Sequence, residues 1–522
     1  MNFMGKLLSF YNMTNDDYNE LSAEASYDKL PSPTLFKDVD KCVNRITSAI
    51  ENNEDILIYG DYDVDGIMST TIMVKALRDL KAKVKYYLPS RYKDGYGLNT
   101  KMVEVAHKKG YKLIITVDNG VAQHDAIKRA YELGIDVIIT DHHEITRQIP
   151  ENIVGIMHPI YSGYGNVYCC GAYVAYMLAV SLLSKHYDFR ASLAGIATIS
   201  DMMELKNYNR EIVKIAINNI NKYKYEALML LCDKSIVDEL TISLKIAPKL
   251  NSIGRLMEDY SINKLVESLL CDDIDILQKT ATWIEQCNNE RKILTNSVCE
   301  SLTYNIDAPA IICITETKEG IIGLIANKLM QENNKPTIVF TESTEDDKLL
   351  KGSARSKNGF SISESFEKLN DLLLAYGGHA SAGGLTINKD SLNEFVIRFN
   401  ELAKKSKLVD DYLNSKAIEI DINEINVQNY ELLSKLKPFG IGFEQPVFKI
   451  NNLKCSALTF TKTREHILYQ LSMNTKIIGF NIPESSLLNI QYINTYGVFS
   501  LESFRGHATV TYKIEKYEIS TK

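Results

Sequence analysis

Between residues 55 and 160, short apolar runs alternate with segments that have the spacing of amphipathic helices. The segments between the apolar runs predict helices at Ser69–Leu80, Thr100–Lys109 and Gln123–Leu133. The apolar runs predict strands at Asp55–Tyr59, Val84–Leu88, Leu113–Val117, Val137–Thr140 and Ile153–Met157. Because a helix separates most of these strands, consecutive strands are expected to run parallel and to be joined by right-handed crossovers. The alternation therefore restricts this region to an α/β domain built on a parallel sheet.

Acidic and imidazole side chains follow three of these strands, at the point where each strand ends. The groups are Asp61-Tyr62-Asp63-Val64-Asp65-Gly66, Asp118-Asn119-Gly120 and Asp141-His142-His143. An aspartate after a strand is often only a helix N-cap. However, the carboxyl ends of parallel strands lie at one edge of a sheet, where ligands bind. Three such groups in register therefore predict one composite site.

A cluster of carboxylates with one or two imidazoles predicts a site for divalent metal ions. Carboxylates that lie together repel one another unless cations neutralise them. Oxygen-rich ligand sets favour Mn²⁺ or Mg²⁺ over metals bound by thiolates. Two ions about 3.5–4 Å apart would lower the pKa of a bridging water and hold a phosphoryl group for in-line attack. No Walker-type glycine-rich loop occurs in the sequence, so an activity driven by nucleoside triphosphate hydrolysis is not indicated.

The rest of the chain predicts further domains, since 522 residues are too many for one hydrophobic core. Residues 172–300 are mainly helical in pattern, and a second α/β alternation follows from about 308 to 405. Short strands from about 415 onward are typical of a small β-barrel or a sandwich. A charged stretch around Lys404–Asp411 indicates a boundary. The predicted divisions are an N-terminal segment at 1–50 and domains or connectors at 51–205, 206–305, 306–408 and 415–522.

Composition places the chain among ordinary globular proteins. Hydrophobic residues make up 45% and charged residues 24%, and no run reaches the ~18 apolar residues that span a bilayer. The N-terminus does not resemble a signal peptide. The nine cysteines include no CxxC pair, which predicts reduced thiols in a cytoplasmic protein. A net charge of −7 argues only weakly against a polyanion binder, because binding depends on a local basic groove.

The ordered motifs resemble those of the DHH phosphoesterase family. The acidic runs described above and Ser200–Leu205 are similar to the four motifs of the family, in the right order. Further segments resemble the family's single-strand-specific exonucleases in particular, so that the likeness covers roughly residues 35 to 520: Ala247–Leu256, Gly320–Gly323, Gly352–Ser356, Gly377–Ala380, Leu436–Gly440 and Pro446–Phe448. One departure is Glu316–Glu319, near which these exonucleases usually carry Trp-His.

The resemblance implies a role for each matching residue. It implies two metal ions, Mn²⁺ by preference or Mg²⁺, with Asp118 as the bridging ligand. On its own, Asp201 is better interpreted as a helix cap, but the resemblance implies that it is a metal ligand. Asp61 and His143 are expected to support the site, and His158 is interpreted as a packed or exposed histidine. The expected metal ligands are Asp61, Asp63, Asp65, Asp118, His142 and Asp201, and the expected catalytic residues are His142, His143, Arg255 and His379.

The resemblance also implies how substrate is bound. Arginine is a planar fork suited to bidentate phosphate contacts, and glycine allows a ligand to approach the backbone closely. Arg255 and His379 are expected to contact the scissile phosphate or to stabilise the charge that develops on it. The expected substrate-binding residues are Arg91, Ser353 and Arg355 for a 5′ phosphate, with Gly377, Gly378 and His379.

The fold implied is a parallel-sheet DHH domain, a helical connector, a second α/β DHH-associated domain and a C-terminal β-barrel of the OB type. The activity implied is a 5′-to-3′ exonuclease that degrades single-stranded DNA to 5′ mononucleotides in recombination and repair. The expected partners are single-stranded DNA, a helicase and a single-strand-binding protein, with no membrane, and the expected state is a monomer. Two alternatives stay open: a phosphodiesterase for oligonucleotides or cyclic dinucleotides, and a catalytically inactive scaffold that binds single strands.

Overall fold

The computed structural model describes residues 1–145, 147–165, 168–343, 346–357, 359–404, 417–504 and 507–520. They form two compact units, Ala25–Leu408 and Met1–Glu24 with Val409–Lys522. The N-terminal segment predicted at 1–50 is divided between these units. Beyond Lys404, the boundary predicted at Lys404–Asp411 lies outside the described residues.

The strands and helices are numbered in chain order. The strands are β1 (Asp55–Tyr59), β2 (Lys83–Tyr87), β3 (Leu113–Val117), β4 (Asp136–Thr140), β5 (Gly155–Met157), β6 (Ile311–Thr315), β7 (Thr337–Glu342), β8 (Leu349–Arg355), β9 (Leu373–Gly378), β10 (Ala382–Asn388), β11 (Ile418–Glu419), β12 (Phe448–Lys454), β13 (Ile467–Ser472), β14 (Thr475–Gly479), β15 (Tyr492–Phe504) and β16 (His507–Ile519). The α-helices are α1 (Phe3–Tyr11), α2 (Asn15–Ser22), α3 (Val39–Glu51), α4 (Val64–Asp79), α5 (Thr100–Lys108), α6 (His124–Glu132), α7 (Pro159–Ser162), α8 (Gly171–Leu183), α9 (Asp188–Ser200), α10 (Asn207–Tyr223), α11 (Glu226–Met229), α12 (Glu239–Thr241), α13 (Ala247–Leu256), α14 (Asn263–Leu269), α15 (Ile274–Ser301), α16 (Glu319–Asn333), α17 (Ile362–Lys368), α18 (Leu392–Lys404) and α19 (Val427–Ser434).

The first sheet of the larger unit is parallel throughout, with the strand order β2-β1-β3-β4-β5. This confirms the predicted fold class. Helices cover both faces, and β3 is buried at every position, as is usual for a parallel sheet. Because β1, β3 and β4 are neighbours, their carboxyl ends lie side by side. We call this sheet with helices α3 to α15 the first lobe.

Helix α4 begins earlier than the helix predicted at Ser69–Leu80. Asp63 is its N-cap, and its Oδ1 accepts the amide of Gly66 at 3.1 Å. The residues between Asp63 and the predicted helix start therefore form the cap and first turns of the helix. As a result Asp65 lies within the first turn, where the helix dipole favours negative charge.

The predicted helical region is confirmed between α8 and α15. Helix α15 has 28 residues and packs against α13. Before α13, residues Ile242–Ile246 form a π-helical segment, a geometry that often occurs at functional sites. Helix α13 also contacts α4 of the first lobe and α16, which follows β6.

The second sheet of the larger unit has the order β6-β7-β8-β10-β9. Strands β6 and β7 are parallel, and the other pairs are antiparallel. Helix α16 packs on β7 and β8. The second α/β domain is thus confirmed, with a mixed sheet. We call this sheet with α16 to α18 the second lobe.

The smaller unit contains one six-stranded sheet, in the order β11-β12-β15-β16-β14-β13. Within the described residues its edge strands β11 and β13 do not pair with each other, so the predicted barrel is an open OB-like sheet. The N-terminal helix α1 belongs to the core of this unit, because Phe3 stacks on Phe448 and Phe499 with ring centroids 5.6 and 6.0 Å apart. Helices thus cover apolar surface that a closed barrel would bury between strands.

Among the helices that the structure describes, none combines the length and the apolar character needed to cross a bilayer.

Candidate functional site

Carboxylates gather where β1, β3 and β4 end. Three sets of residues have ligand atoms that lie within 4.8 Å of one another inside each set, and Asp118 belongs to two of the sets. Asp201, at the carboxyl end of α9, joins them from outside the sheet. The sets are Asp61, Asp63 and Asp118; Asp65, His142 and Asp201; and Asp118, His142 and His143. The structure therefore brings together every residue that the sequence predicted as a metal ligand, and we call these residues the acidic cluster.

The carboxylate of Asp65 is held by the amino end of α8. Its two oxygens accept the backbone amides of Gly171 at 2.6 Å and Ala172 at 2.7 Å. A helix amino end stabilises a carboxylate through its free N–H groups and its dipole. Position 171 also needs glycine, since a Cβ there would lie 2.5 Å from Oδ1 of Asp118. Neither amide could be predicted from the sequence, in which the only signal was a glycine at the start of a long apolar helix.

Asp118 has an unusual backbone conformation for a residue with a side chain. Its φ of 62° lies in the left-handed region, which is uncommon for residues with a side chain. Its amide donates to the carbonyl of Thr140 at 2.9 Å. The side chain of Asn119 donates to the carbonyls of Tyr59 and Val117. The ends of β1, β3 and β4 are thereby tied together around the Asp118 carboxylate.

The buried carboxylates resist ionisation in the absence of cations. Burial, and then the charge of Asp63, raises the pKa of Asp61 to about 8 and that of Asp65 to about 6. Burial followed by repulsion from Asp65 and Asp63 raises the pKa values of Asp118 and Asp201 well above the usual range. In the described part of the chain, Asp61, Asp118 and Asp201 each have a buried oxygen without a hydrogen-bond partner. The donor set therefore fits divalent cations.

The two histidines of the third motif have opposite electrostatic environments. Nε2 of His142 lies 3.2 Å from Asp118 and 3.6 Å from both Asp65 and Asp201. Burial and the nearby His143 lower the pKa of His142 to about 3, so its imidazole is neutral, as a metal ligand must be. Burial alone would lower the pKa of His143, but Asp141 at 2.7 Å raises it to about 9.

Asp141 supports the histidines rather than the metal site. It is buried, and its carboxylate accepts the amides of Val121, His142 and His143. Burial would raise its pKa, yet the hydrogen bond and charge of His143 hold that pKa below the usual range. His158 is buried and bonds through Nε2 to the carbonyl of His143 at 2.8 Å, a packed role as interpreted from the sequence.

A larger cavity beside the acidic cluster is lined by arginines. Its volume is about 550 Å³, and we call it the arginine cavity. A smaller cavity of about 130 Å³ is lined by Asp63, Asp65, Asp201 and Asn251, and shares Arg91 and Arg255 with the larger one. The arginine cavity lies between the two lobes and is lined by Arg91, Arg255, Ser353 and Arg355, with Glu319, Lys351 and the glycines 320, 323, 352 and 384 among its other residues.

Each arginine of the cavity makes its own contacts with the protein. Arg355 donates to Oγ of Ser353 at 3.0 Å and to the carbonyl of Ala354 at 2.7 Å. The guanidinium of Arg91 lies 4.1 Å from the ring centroid of Tyr62. Burial and repulsion from neighbouring arginines lower the pKa of Arg255 to about 10. Crowded cations of this kind favour an anionic ligand, and arginine pairs best with phosphate or carboxylate.

Three predicted substrate-binding residues lie elsewhere. Gly377, Gly378 and His379 lie at the exposed end of β9, and none of these described residues lines either cavity. Gly378 needs to be glycine because its φ is 141° and a Cβ would lie 2.3 Å from the carbonyl of Ala382. A Cβ on Gly377 would meet open space, so close packing within the protein does not require glycine there. Their roles stay predictions.

Two polar contacts near the cluster were absent from the sequence-based set. Oδ1 of Asn251, on α13, accepts the amide of Val64 at 3.2 Å and so supports the first acidic run. The hydroxyl of Tyr96 lies 3.1 Å from the ring nitrogens of His143. Asn251 lies within the quoted segment Ala247–Leu256, but nothing in the spacing of either residue indicated a partner.

Comparison with known proteins gives three matches to family models along the chain. They are the DHH family, N-terminal domain at residues 55–204, the DHHA1 domain at 307–405 and the RecJ OB domain at 417–516.

Curated relatives match most of this chain. The single-stranded-DNA-specific exonuclease RecJ of Bacillus subtilis (strain 168) is 33% identical over 435 residues, a match that covers 80% of this chain and 55% of the relative. The protein of the same name from Haemophilus influenzae is 29% identical over 462 residues, covering 80% of this chain and 78% of the relative. The chain thus spans about half the length of the first relative and more than three quarters of the second.

Solved structures show the same fold. RecJ from Thermus thermophilus in complex with Mn²⁺ matches 95% of this chain and 74% of that chain, with a TM-score of 0.80 and 23% identity. A structure of exonuclease RecJ bound to manganese matches 73% of this chain and 97% of that chain, with a TM-score of 0.61 and 27% identity.

Gly171→Ala should disrupt the acidic cluster without replacing any proposed ligand. The added methyl would lie 2.5 Å from Oδ1 of Asp118, so the carboxylate or the start of α8 must move. We expect Mn²⁺ affinity, measured by titration calorimetry, to fall at least ~10-fold, as for other changes to groups that orient ligands. Ser181→Ala, later on the same helix, serves as the control. Equal Mn²⁺ affinity for Gly171→Ala and the unaltered chain would contradict this geometry.

Proposed function

We propose that this chain, which belongs to the RecJ branch of the DHH phosphoesterase family, is a metal-dependent 5′-to-3′ exonuclease that degrades single-stranded DNA to 5′ mononucleotides. The observation that carries the proposal is that the smaller cavity, which is lined by residues of the acidic cluster, shares Arg91 and Arg255 with the arginine cavity. A metal centre next to phosphate-binding cations is the arrangement that phosphodiester hydrolysis requires. The names of the relatives and the match to the RecJ OB domain support single-stranded DNA as the substrate.

The acidic cluster would hold two divalent ions, Mn²⁺ by preference or Mg²⁺. Its unpaired buried oxygens and raised carboxylate pKa values support this assignment. Asp118 and His142 each belong to two of the three sets. Of the two, only the Asp118 carboxylate has two oxygens with which to bridge two ions, so Asp118 is the proposed bridging ligand, and Asp61 is given a supporting role. Bound ions would activate a water and stabilise charge on the phosphoryl group. The proposed ligands are Asp63, Asp65, Asp118, His142 and Asp201, with Asp61.

The polarity of cleavage would follow from the arginine cavity. Arg91, Ser353 and Arg355 would hold the terminal 5′ phosphate there. Arg255 lines both cavities and would contact the next phosphate, which is the scissile one. Because the terminal phosphate would be fixed beside the acidic cluster, each cut would release one nucleotide from the 5′ end.

His143 would assist departure of the leaving oxygen. Since Asp141 keeps its pKa near 9 against the effect of burial, the ring is protonated near neutral pH and adjoins the acidic cluster through His142. A protonated imidazole close to the reacting phosphate can donate a proton from a ring nitrogen. Asp141 would orient the ring.

The biological setting is proposed on the same basis. A chain of this kind would act in the cytoplasm in recombination and repair, as a monomer that receives strands from a helicase and a single-strand-binding protein. OB folds bind single strands without sequence preference, and all the cysteines are free thiols, which fits a reducing compartment. An enzyme for short or cyclic dinucleotides would need no OB domain. An inactive scaffold would tolerate the loss of ligands, but here the ligand set is intact.

Asp118→Ala should abolish cleavage while single-strand binding is retained, because the proposed bridging ligand is removed and the DNA-binding surfaces are not. We expect Mn²⁺-dependent release of mononucleotides to fall more than ~100-fold, beyond the effect of losing a group that only orients a ligand. Asp125→Ala removes an exposed aspartate from the first turn of α6 and is the control. Unchanged cleavage by Asp118→Ala would rule out the proposed metal site.

Arg355→Gln should reduce discrimination between 5′-phosphorylated and 5′-hydroxyl strands. A hydrogen bond to a charged group contributes about 1.5–3 kcal/mol, so the ratio of kcat/KM values for the two strands should fall ~10-fold or more. Arg398→Gln is the matched control, because Arg398 lies in the same lobe and pairs at the surface with Asp371. If Arg355→Gln keeps the ratio of the unaltered enzyme, the arginine cavity does not hold the terminal phosphate.

A further inference from the structure

The hydroxyl of Tyr92 joins main-chain groups of the two lobes. It donates to the carbonyl oxygen of Arg255, near the end of α13, and accepts the amide of Gly320, in the first turn of α16, at 3.3 Å. Tyr92 directly follows Arg91, which lines both cavities. A single phenol group therefore connects the first lobe to the second beside the arginine cavity.

The contact between the lobes is tight at this point. A Cβ on Gly320 would lie 2.3 Å from the carbonyl oxygen of Arg255 and 2.8 Å from the Tyr92 hydroxyl. In return, Nη1 of Arg255 donates to the carbonyl of Gly320 at 2.9 Å. Arg255 is thus held at its backbone through Tyr92 and at its side chain through Gly320. We call these three hydrogen bonds the Tyr92 bridge.

Arg255 needs such a restraint for two reasons. Its side chain is long, and fixing it costs rotamer entropy. It also lies among other arginines, Arg91 and Arg355 included, whose charges repel it. The bond to Gly320 uses one of the five N–H groups of the guanidinium. The other N–H groups of Arg255 can donate to a ligand in either cavity, since Arg255 lines both.

A second contact between the lobes lies nearer the solvent. Lys318 donates to the carbonyl of Leu256 at 3.0 Å and pairs with Glu258 at 2.8 Å. The ion pair is exposed, with side-chain exposures of 41% and 61%, and exposed pairs contribute little to stability. The Tyr92 bridge is therefore the more restrictive of the two contacts.

We propose that Tyr92 is a positioning residue. Its hydroxyl joins the two lobes at Arg255, so that the guanidinium of Arg255 stays between the acidic cluster and the terminal-phosphate site. The identity of the group that Arg255 meets, the scissile phosphate, rests on the proposed function. The bridge itself rests on the hydrogen bonds and on the close approach of Gly320.

Tyr92→Phe removes the hydroxyl and keeps the ring. Because Arg255 would act on charge that develops during cleavage, its misplacement should lower kcat more than it changes KM. We expect kcat on a 5′-phosphorylated strand to fall ~10-fold and KM to change less than ~3-fold, since small displacements at a reacting centre have large effects on rate. Tyr86→Phe is the matched control, because its hydroxyl bonds to the carbonyl of Asn263 and not to the bridge.

A double-mutant cycle separates positioning from general stabilisation. If Tyr92 acts through Arg255, adding Tyr92→Phe to Arg255→Gln should cause less than ~2-fold further loss of kcat, because coupled residues are not additive. If the two losses multiply, Tyr92 acts independently of Arg255 and the proposal is overturned. Wild-type kcat and KM in Tyr92→Phe would overturn it as well.

Hydrogen exchange provides a readout that does not depend on cleavage. The amide of Gly320 should exchange faster in Tyr92→Phe than in the unaltered chain or in Tyr86→Phe, because it loses its acceptor. Unchanged exchange at Gly320 would overturn the bridge. If the unaltered chain does not cleave single strands but exchange at Gly320 responds as expected, the proposed function fails and the bridge is supported.

Discussion

Repulsion among carboxylates is the constraint on which the rest of the site depends. Buried aspartates at adjoining strand ends raise one another's pKa values, so the fold must hold them together at a cost in stability. It does so with a left-handed backbone at Asp118, with two helix amides on Asp65 and with a glycine at position 171 that leaves room between them.

In the arginine cavity, positive charges repel one another as the carboxylates do in the acidic cluster. Arg255 is buried among cations, and its position is maintained by main-chain groups from both lobes. Because the smaller cavity, which is lined by residues of the acidic cluster, shares Arg91 and Arg255 with the arginine cavity, metal ions and a phosphodiester strand would relieve both kinds of repulsion together. Carboxylates repel one another in the acidic cluster, and arginines repel one another in the cavity. Both groups are therefore already in place for a substrate whose phosphates bind next to metal ions.

Much of the fold could be predicted because its signals are local. The five parallel strands and the acids that end them are contiguous in sequence, and strand direction alone places Asp61, Asp118 and Asp141 at one edge. Asp201 and the arginines come from other elements, so only the family resemblance assigned them. The contacts of Asn251, Gly171 and Tyr92 could not be predicted, since each depends on how distant segments pack. The OB-type fold of the smaller unit was predicted, but the contribution of α1 was not, since α1 lies far away in sequence and covers part of that core.

The most direct test of this account is anomalous diffraction at the manganese edge from crystals grown with Mn²⁺. The account predicts two peaks about 3.5–4 Å apart, surrounded by Asp63, Asp65, Asp118, His142 and Asp201, with Asp118 contacting both. The absence of any peak among these residues, with Mn²⁺ bound elsewhere or not at all, would contradict it.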